Sequence, residues 1–299
     1  GYTSALSDYS GVLHDDEDNL SLIAGDPLLS DDGIEKDHRT IMMALKERRY
    51  AELSSVRGVF CAVRYEDTRE PVLELCADKL GVRPIYYWSD SHFVVFATAL
   101  KILESVTMIP KEVDLSALSE TFAFGIPLAD RTKYKYLKIM RESEIVRFKF
   151  KSTDHITYFR WDQIKQHNVS MTEATKNTYE IFRDSIRIRL KNDARALAFL
   201  SGGMDSRAIV AVLKDMDIDV HTFNCSPEVS QDEFFAKQYA DTVKCPFHVM
   251  PFPEKSASQM AKSVINIAKR KQLNPSRPRT IWSGDGGSVG LGCVYLDEH

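Results

Sequence analysis

A short polar segment, Ser201-Gly202-Gly203-Met204-Asp205-Ser206, follows the apolar run 196–200 and precedes the helical run 208–213. A buried strand that ends in such a turn aims backbone N–H groups and a helix N-terminus at one point, which is a site for phosphate. The two glycines let the backbone approach an anion closely, and the two serines can add hydroxyl donors. Phosphate would repel the Asp205 carboxylate unless a cation lay between them, so the segment suggests Mg²⁺ with a nucleotide polyphosphate.

The specificity of this signal depends on how much of the segment is considered. Ser-Gly-Gly turns also close ordinary strand-to-helix connections, and the spacing is neither Gly-x-x-x-x-Gly-Lys-Ser/Thr nor Gly-x-Gly-x-x-Gly. The whole run of strand, SGGxDS and apolar helix is far more specific than the tripeptide. It resembles the PP-loop of ATP pyrophosphatases, enzymes that cleave ATP to AMP and pyrophosphate while they activate a substrate.

Composition narrows the class of protein. A chain of 299 residues can hold two domains, and a net charge of -4 gives no electrostatic footprint for nucleic acid. We expect the basic stretch 269–279 to be a solvated loop. No apolar run reaches membrane-spanning length and no signal peptide opens the chain, so we expect a soluble, cytoplasmic protein without nucleic-acid or membrane partners. The five cysteines are widely spread and odd in number, which predicts reduced core thiols.

The elements that must position the polar segment change character along the chain. In the first half, apolar residues alternate over 59–65, and further short runs at 71–76, 85–88 and 93–97 are too close for crossover helices, which predicts an antiparallel sheet. Helical patterns occur around 34–48 and 115–124.

From about residue 165 strands alternate with helices. Capping boxes at Ser170-Met171-Thr172-Glu173 and Ser230-Gln231-Asp232-Glu233 open two of the helices, and the alternation predicts a parallel sheet with helices on both faces. In this interpretation Asp232 and Glu233 are at least as consistent with first-turn helix charges as with ligands.

Both halves resemble one family, asparagine synthetase and its relatives. In the first half, RGVFCA (57–62), DKLGVRPIYY (78–87) and FATALKIL (96–103) are similar to the family's GxFAFA, DrlGvrPLYY and FASElkaL segments. In the second half, LSGGMDS (200–206), TFN (222–224), the helix over 232–240 and SGDGG (283–287) are similar to LSGGLDS, an adenine-binding strand end, the helix after it and SGEGxDE.

The resemblance implies a fold of two parts, α+β and then α/β. An N-terminal antiparallel layer of the Ntn amidotransferase type, truncated or degenerate, covers residues 1–165. A parallel-sheet domain of the adenine nucleotide α-hydrolase and PP-loop type follows over 166–299 and is C-terminally incomplete. The implied cofactors are ATP and Mg²⁺, with Asp285 as a catalytic residue and Asp205 as the metal ligand. The nucleotide-binding residues are Leu200, Ser201, Gly202, Gly203, Asp205, Ser206, Phe223, Asn224, Ser283 and Gly284.

The implied activity is that of an ATP-dependent, amide-forming ligase. A small-molecule or peptide carboxylate attacks the α-phosphorus of ATP, pyrophosphate leaves, and ammonia or an amine then attacks the acyl-adenylate. A homodimer is among the assemblies that the resemblance allows.

The chain departs from the family pattern at several places. Full members carry an N-terminal cysteine that hydrolyses glutamine, whereas this chain begins Gly1-Tyr2, and Gly25-Asp26 stands where the family has Asn-Gly-Glu. Either the chain as given lacks the front of its domain or the protein has lost glutaminase activity. Ser288-Val289 replaces the Asp-Glu pair of the second loop and removes a carboxylate expected to help hold Mg²⁺.

Three hypotheses for the function therefore stand side by side. The first is the ligase, including cyclase-type relatives that close β-lactams or lasso peptides. The second is another PP-loop enzyme, such as one that modifies tRNA, against which the acidic charge balance and the amidotransferase-like first half argue. The third is a catalytically degenerate nucleotide-binding protein, motivated by Ser288-Val289.

Overall fold

A computed structural model of the chain describes residues 12–15, 19–29, 34–191, 193–226, 230–250, 257–270 and 281–285. These residues form two compact units, divided between His167 and Asn168. In this part of the chain no helix is long and apolar enough to cross a membrane.

The first unit is built mainly from antiparallel strands. Its strands are β1 Val12–Asp15, β2 Asn19–Asp26, β3 Val59–Glu66, β4 Val72–Ala77, β5 Tyr86–Ser89, β6 Val94–Ala97, β7 Lys138–Ile139, β8 Glu144–Lys149 and β9 Ser152–Thr157. Its helices are α1 Ile34–Lys46, α2 Leu100–Glu104 and α3 Leu115–Phe124, with 3₁₀ turns at Tyr50–Ser55 and Trp161–Gln163.

Six of these strands form one sheet in the order β1-β2-β3-β4-β8-β9, and β6-β5-β7 form a second sheet. Side chains alternate between the faces of the larger sheet, as the pleat requires. Phe60 and Ala62 of β3 pack in a core cluster with α1, whereas Cys61 and Val63 belong to a cluster that includes β5. The antiparallel sheet and the two helices predicted for this half are therefore confirmed.

A row of charged and polar residues crosses the α1 side of the larger sheet. Successive cross-strand partners form this arginine–glutamate row: Ser21, Arg64, Glu74, Arg147 and Asp154. Arg64, Glu74 and Arg147 are buried. Arg147 Nε donates to Glu74 Oε1 at 2.8 Å, and the Tyr50 hydroxyl donates to the same oxygen at 2.7 Å. The sequence analysis did not anticipate this row, because its members come from five separate strands.

The second unit alternates helices and strands. Its elements are α4 Met171–Leu190, β10 Arg195–Phe199, α5 Met204–Asp215, β11 Asp219–Asn224, α6 Gln231–Thr242, β12 Phe247–Val249, α7 Ala257–Arg270 and β13 Ile281–Trp282. The strands lie in the order β12-β11-β10-β13, and all neighbours are parallel. The serine half of each predicted capping box forms, since the Ser170 and Ser230 hydroxyls accept from the N–H groups of Glu173 and Glu233 at 3.2 and 3.1 Å.

Helices cover both faces of this parallel sheet. On one face, Ala196 and Ala198 pack with residues of α5 and α6. On the other face, Leu197 and Phe223 pack with Val264 and Ala268 of α7. The predicted α/β arrangement is therefore confirmed. Because the four strands are parallel, their carboxyl ends all lie at one edge of the sheet.

One expectation about the second unit was wrong. The basic stretch 269–279 was expected to be a loop, but Lys269 and Arg270 are the last residues of α7. Val264 and Ala268, one helical turn apart, hold the end of that helix on the sheet. Residues 271–279 of the stretch lie outside the described residues.

Candidate functional site

The serine–glycine loop, residues 201–206, joins β10 to α5 at the carboxyl edge of the parallel sheet. Gly203 is the N-cap of α5 and has an extended backbone, with φ -72° and ψ 155°. A glycine has no side chain that could bond the first N–H groups of the helix. These N–H groups, with the positive end of the helix dipole, are thus suited to an external anion.

Hydrogen bonds within the loop fix its shape. The Ser206 side chain is buried, and its hydroxyl accepts from the Ser201 N–H at 3.1 Å and donates to the Gly203 carbonyl at 3.2 Å. The Gly203 N–H donates to Ser201 Oγ at 3.2 Å. Of the two hydroxyls expected to bond a ligand, that of Ser206 therefore lies inside the loop and holds its turn.

Asp285 and its neighbours lie against the start of α5. β13 pairs with β10, so the loop that follows β13 leaves the sheet at the same edge as the serine–glycine loop. A Cβ built on Gly284 would come 2.6 Å from Ser206 N and 3.1 Å from the carbonyl carbon of Asp205. The structure thus brings Ser283–Asp285 to the first turn of α5, where Asp205 is partly exposed and Asp285 is exposed.

Three of the nucleotide-binding residues expected from the sequence hold the strand ends together. The Leu200 N–H donates to the Phe223 carbonyl at 2.9 Å, and Asn224 Nδ2 donates to the Leu200 carbonyl at 2.9 Å. The side chains of Leu200, Phe223 and Asn224 are buried, and that of Phe223 packs in the core beside Leu197. None of these three side chains is therefore exposed to a ligand at this edge.

Two residues to which the sequence analysis gave no ligand role also reach the loop. A Cβ on Gly202 would come 2.8 Å from Asp232 Oδ1, so the first turn of α6 adjoins the serine–glycine loop. Arg207 Nε donates to the Gly203 carbonyl at 3.2 Å, and its guanidinium lies over the Tyr239 ring, 6.0 Å from the centroid. The signals available in the sequence were the Ser230 capping box and the Arg directly after SGGMDS.

The residues present fit a nucleotide with Mg²⁺. Among the described residues no three His, Cys, Asp or Glu side chains are grouped to hold a metal ion. Mg²⁺ commonly takes only one or two carboxylates, and phosphate oxygens and water complete its shell. Asp205 supplies such a carboxylate beside an oriented set of N–H groups, and the close approach of backbone at Gly284 leaves no room for a side chain there.

In the first unit, Gly25 lies where the sequence departs from the Asn-Gly-Glu of the family. Its φ is +118°, and a Cβ there would come 2.2 Å from the Val59 carbonyl oxygen and 2.9 Å from Arg83 Nε.

Burial raises the pKa of the nearby Cys61 thiol and, more strongly, that of the Cys76 thiol, so neither thiol is an activated nucleophile. The chain start and Ser288-Val289 lie outside the described residues.

Comparison with known proteins finds the same relatives for both units. A profile described as a glutamine amidotransferase domain matches residues 34–159, and one described as asparagine synthase matches residues 177–281. Glutamine-hydrolyzing asparagine synthetase 3 of Bacillus subtilis (strain 168) is 27% identical over 192 residues, which cover 62% of this chain and 31% of that protein. Glutamine-hydrolyzing asparagine synthetase 1 of the same organism is 27% identical over 253 residues, which cover 83% and 37%.

More distant similarities were also found. Amidase chry2 of Gibberella zeae is 22% identical over 187 residues, which cover 60% of this chain and 27% of that protein. Among solved structures, the NH3-dependent NAD synthetase of Campylobacter jejuni matches 33% of this chain and 48% of its own at 18% identity. Its TM-score is 0.24, which supports no statement about the fold. The chain spans about a third of the length of the synthetases that it matches.

Proposed function

We propose that this chain, which belongs to the asparagine synthetase family as a divergent member, binds ATP at the serine–glycine loop and uses it to activate a carboxylate for amide formation. The observation that carries the proposal is the contact of Ser283–Asp285 with the first turn of α5. It supplies oriented N–H donors together with two carboxylates at the carboxyl edge of a parallel sheet, where open α/β folds bind ligands.

The proposed first step forms a bond from a carboxylate oxygen of the substrate to the α-phosphorus of ATP, and the bond to pyrophosphate breaks. The N–H groups at the start of α5 bind the departing phosphates and offset their charge, and Arg207 adds a positive charge beside the loop. Mg²⁺, when bound at Asp205, neutralises phosphate charge. The buried hydroxyl of Ser206 keeps the loop in the shape that this binding requires.

In the proposed second step, ammonia or an amine attacks the acyl carbon of the adenylate and AMP leaves. The attacking nitrogen must lose a proton. We assign the exposed carboxylate of Asp285 to accept this proton or to stabilise the positive charge that develops on the nitrogen. The substrate is a small-molecule or peptide carboxylate. Aspartate is the first candidate, because the relatives are named asparagine synthetases.

The direct test is ATP–pyrophosphate exchange together with calorimetric titration of Mg-ATP. We expect exchange that depends on an added carboxylate, tried first with aspartate and then with other amino acids. Asp205→Ala should lower Mg-ATP affinity by about 10²-fold or more, because removing it takes away the carboxylate assigned to the metal. Asp241→Ala, an exposed carboxylate at the far end of α6, is the matched control and should bind as the wild type does. Unchanged ATP affinity in Asp205→Ala would exclude the assigned site.

The same experiment separates the ligase from a nucleotide-binding protein without ligase activity. The replacement of two acidic residues by Ser288-Val289 favours this second candidate. Tight, Asp205-dependent binding of Mg-ATP without exchange for any carboxylate tested would support it. Carboxylate-dependent exchange would rule it out.

A further inference from the structure

Three large apolar side chains are exposed around the serine–glycine loop. Met204 is the first residue of α5 and is 76% exposed, and Phe234 and Phe235 near the start of α6 are 65% and 47% exposed. We call these three residues the loop-side cluster. The two phenylalanines alone expose about 200 Å², since an aromatic side chain carries roughly 200 Å². Large apolar side chains that are exposed in a group mark a binding surface more often than single ones do.

The position of α6 places this cluster beside the loop. A Cβ on Gly202 would come 3.3 Å from Phe235 Cβ, so the base of the Phe235 side chain contacts the loop. The Phe234 ring meets the Phe235 ring edge-on, with 5.4 Å between the centroids. Neither ring packs in the core, because α6 packs on the sheet through the small, fully buried Ala236 and Ala240. Both rings are therefore available to a ligand beside the proposed ATP site.

The charged residues around the loop are mostly acidic. In the described segments 201–207, 230–235 and 283–285, the one basic residue is Arg207 and the acidic residues are Asp205, Asp232, Glu233 and Asp285. Arg207 already donates to the Gly203 carbonyl and lies over the Tyr239 ring. Asp232 is exposed, and its Oδ1 would lie 2.8 Å from a Cβ on Gly202, on the same side of the loop as Phe235. An edge with this balance of charge attracts a cationic ligand.

We propose that the nitrogen substrate of this site is an amine with an apolar group rather than free ammonia, an inference that rests on the proposed function. The carboxylates of the edge attract the ammonium form of the amine. The apolar group packs on Phe235 and Phe234 and removes part of both rings from water. An ammonium ion would satisfy the charge of the edge and leave the exposed rings without a partner.

The reaction of such an amine balances without a further reactant. The ammonium form loses one proton to water, and the nitrogen of the neutral amine then forms a bond to the acyl carbon of the adenylate. The bond from that carbon to the phosphate oxygen of AMP breaks, and the surplus proton on nitrogen passes to Asp285, as assigned above. The products are a secondary amide and AMP.

Amide formation from a matched pair of amines tests the proposal. The full chain is given ATP, Mg²⁺, the carboxylate that supports ATP–pyrophosphate exchange, and either phenethylamine, methylamine or ammonium chloride, and the amide is quantified by mass spectrometry. We expect kcat/KM for phenethylamine to exceed that for methylamine by about 10-fold or more, because part of the phenyl group leaves water on Phe235. Both amines carry the ammonium group, so their ratio isolates the apolar contact.

Two variants locate the contact. Phe235→Ala should lower the ratio of the two kcat/KM values by about 10-fold. Phe150→Ala is the matched control and should keep the ratio, since Phe150 is exposed in the β8–β9 turn of the first unit. A general loss of stability or of ATP affinity does not change the ratio, because it affects both amines alike. Asp232→Asn should raise KM for both amines by about 3-fold, the scale of one exposed charge.

ATP–pyrophosphate exchange on the same samples separates this proposal from the proposed function, because exchange needs no amine. Absence of exchange with every carboxylate tested would overturn both. Exchange without amide from any amine, or with equal kcat/KM for phenethylamine and methylamine, would overturn the apolar amine alone. The same holds for a ratio that Phe235→Ala leaves at its wild-type value. A preference for apolar carboxylates in exchange, with none among the amines, would assign the loop-side cluster to the other substrate and likewise overturn the proposal.

Discussion

The serine–glycine loop and the arginine–glutamate row are both dense polar clusters, and they are built in opposite ways. The loop is six consecutive residues at a sheet edge, with its serine hydroxyls bonded inward and its helix N–H groups turned outward. The row joins five strands, and Arg64 and Arg147 both pair with Glu74 away from solvent. Charge held at an edge is available to a ligand, whereas charge paired in the interior mainly fixes the register of the strands.

This comparison makes a separable prediction for each cluster. Changes in the row should reduce stability and leave nucleotide binding intact, and changes in the loop should do the reverse. A variant that affected both properties equally would show that the distinction is false.

The largest effect is expected for Glu74→Ala. Removing this carboxylate takes away the partner that the buried Arg64 and Arg147 share and leaves them only Glu66 and Asp154 at the edges of the row. Breaking a buried ion pair in this way costs up to about 3–5 kcal/mol. The free energy of unfolding of the first unit should fall by that amount in urea denaturation, with Mg-ATP affinity unchanged. Glu35→Ala is the matched control, because Glu35 forms an exposed pair with Arg39 and should cost about 0.5 kcal/mol or less. Equal losses in the two variants would contradict the structural role of the row.

A somewhat smaller effect is expected on the pH dependence of stability, through the carboxyl group of Glu74. Burial raises the pKa of Glu74 from 4.5 to about 7, against the lowering effect of Arg64. The folded state therefore binds a proton more tightly than the unfolded state does. The stability contributed by this group is full below about pH 4.5 and is lost as the pH rises through 7.

The matched variant for this pH dependence is Glu74→Gln, which keeps the shape of the side chain and cannot titrate. The difference in unfolding free energy between wild type and variant should change by about 2–3 kcal/mol between pH 4.5 and pH 8. If the unfolding free energies of the two proteins change with pH in the same way over this range, Glu74 stays ionised in the folded state.

The two clusters also differ in how far the sequence predicts them. SGGMDS is contiguous, so its glycines, its aspartate and the strand and helix around it can be recognised from local pattern alone. The position of Ser283–Asp285 against α5 could be expected only because both loops follow strands of one parallel sheet. The contact of Asp232 with Gly202 was not predicted, because a first-turn acidic residue is explained equally well by the helix dipole.

The arginine–glutamate row could not be found from the sequence. Arg64, Glu74 and Arg147 read as outward polar positions in alternating strands, and only the register of β3, β4 and β8 places them side by side. Their burial depends in addition on Tyr50 from the 3₁₀ turn. Helix α7 as a whole was not predicted, and the basic residues at its end were assigned to a loop although Val264 and Ala268 have helical spacing.

Asp285→Asn tests the role in catalysis that we propose for the sheet edge at the serine–glycine loop. If this carboxylate acts on the attacking amine, amide formation should fall by about 10²-fold, equivalent to about 2.7 kcal/mol in the barrier, with ATP affinity nearly unchanged. The rate is measured with the carboxylate that supports ATP–pyrophosphate exchange, and stability should match the wild type because the side chain is exposed. A variant with full activity would leave Asp285 as an ordinary turn residue.

The smallest effect is expected at Gly284, which packs against the first turn of α5 next to the serine–glycine loop. A Cβ at Gly284 would meet only backbone, 2.6 Å from Ser206 N and 3.0 Å from its Cα, and a helix turn cannot move aside at low cost. Gly284→Ala should therefore reduce the unfolding free energy of the second unit by about 1–2 kcal/mol, as overpacking does. Gly202→Ala is the milder comparison, because its shortest contact, Asp232 Oδ1 at 2.8 Å, ends a flexible exposed side chain that can rotate away, and the backbone Cα of Asp232 is 3.2 Å distant. Its cost should be smaller than that of Gly284→Ala, at about 1 kcal/mol or less. Equal stabilities for the two alanine variants in thermal or urea unfolding would mean that Ser283–Asp285 does not pack against α5, and the shared site at this edge would lose its main support.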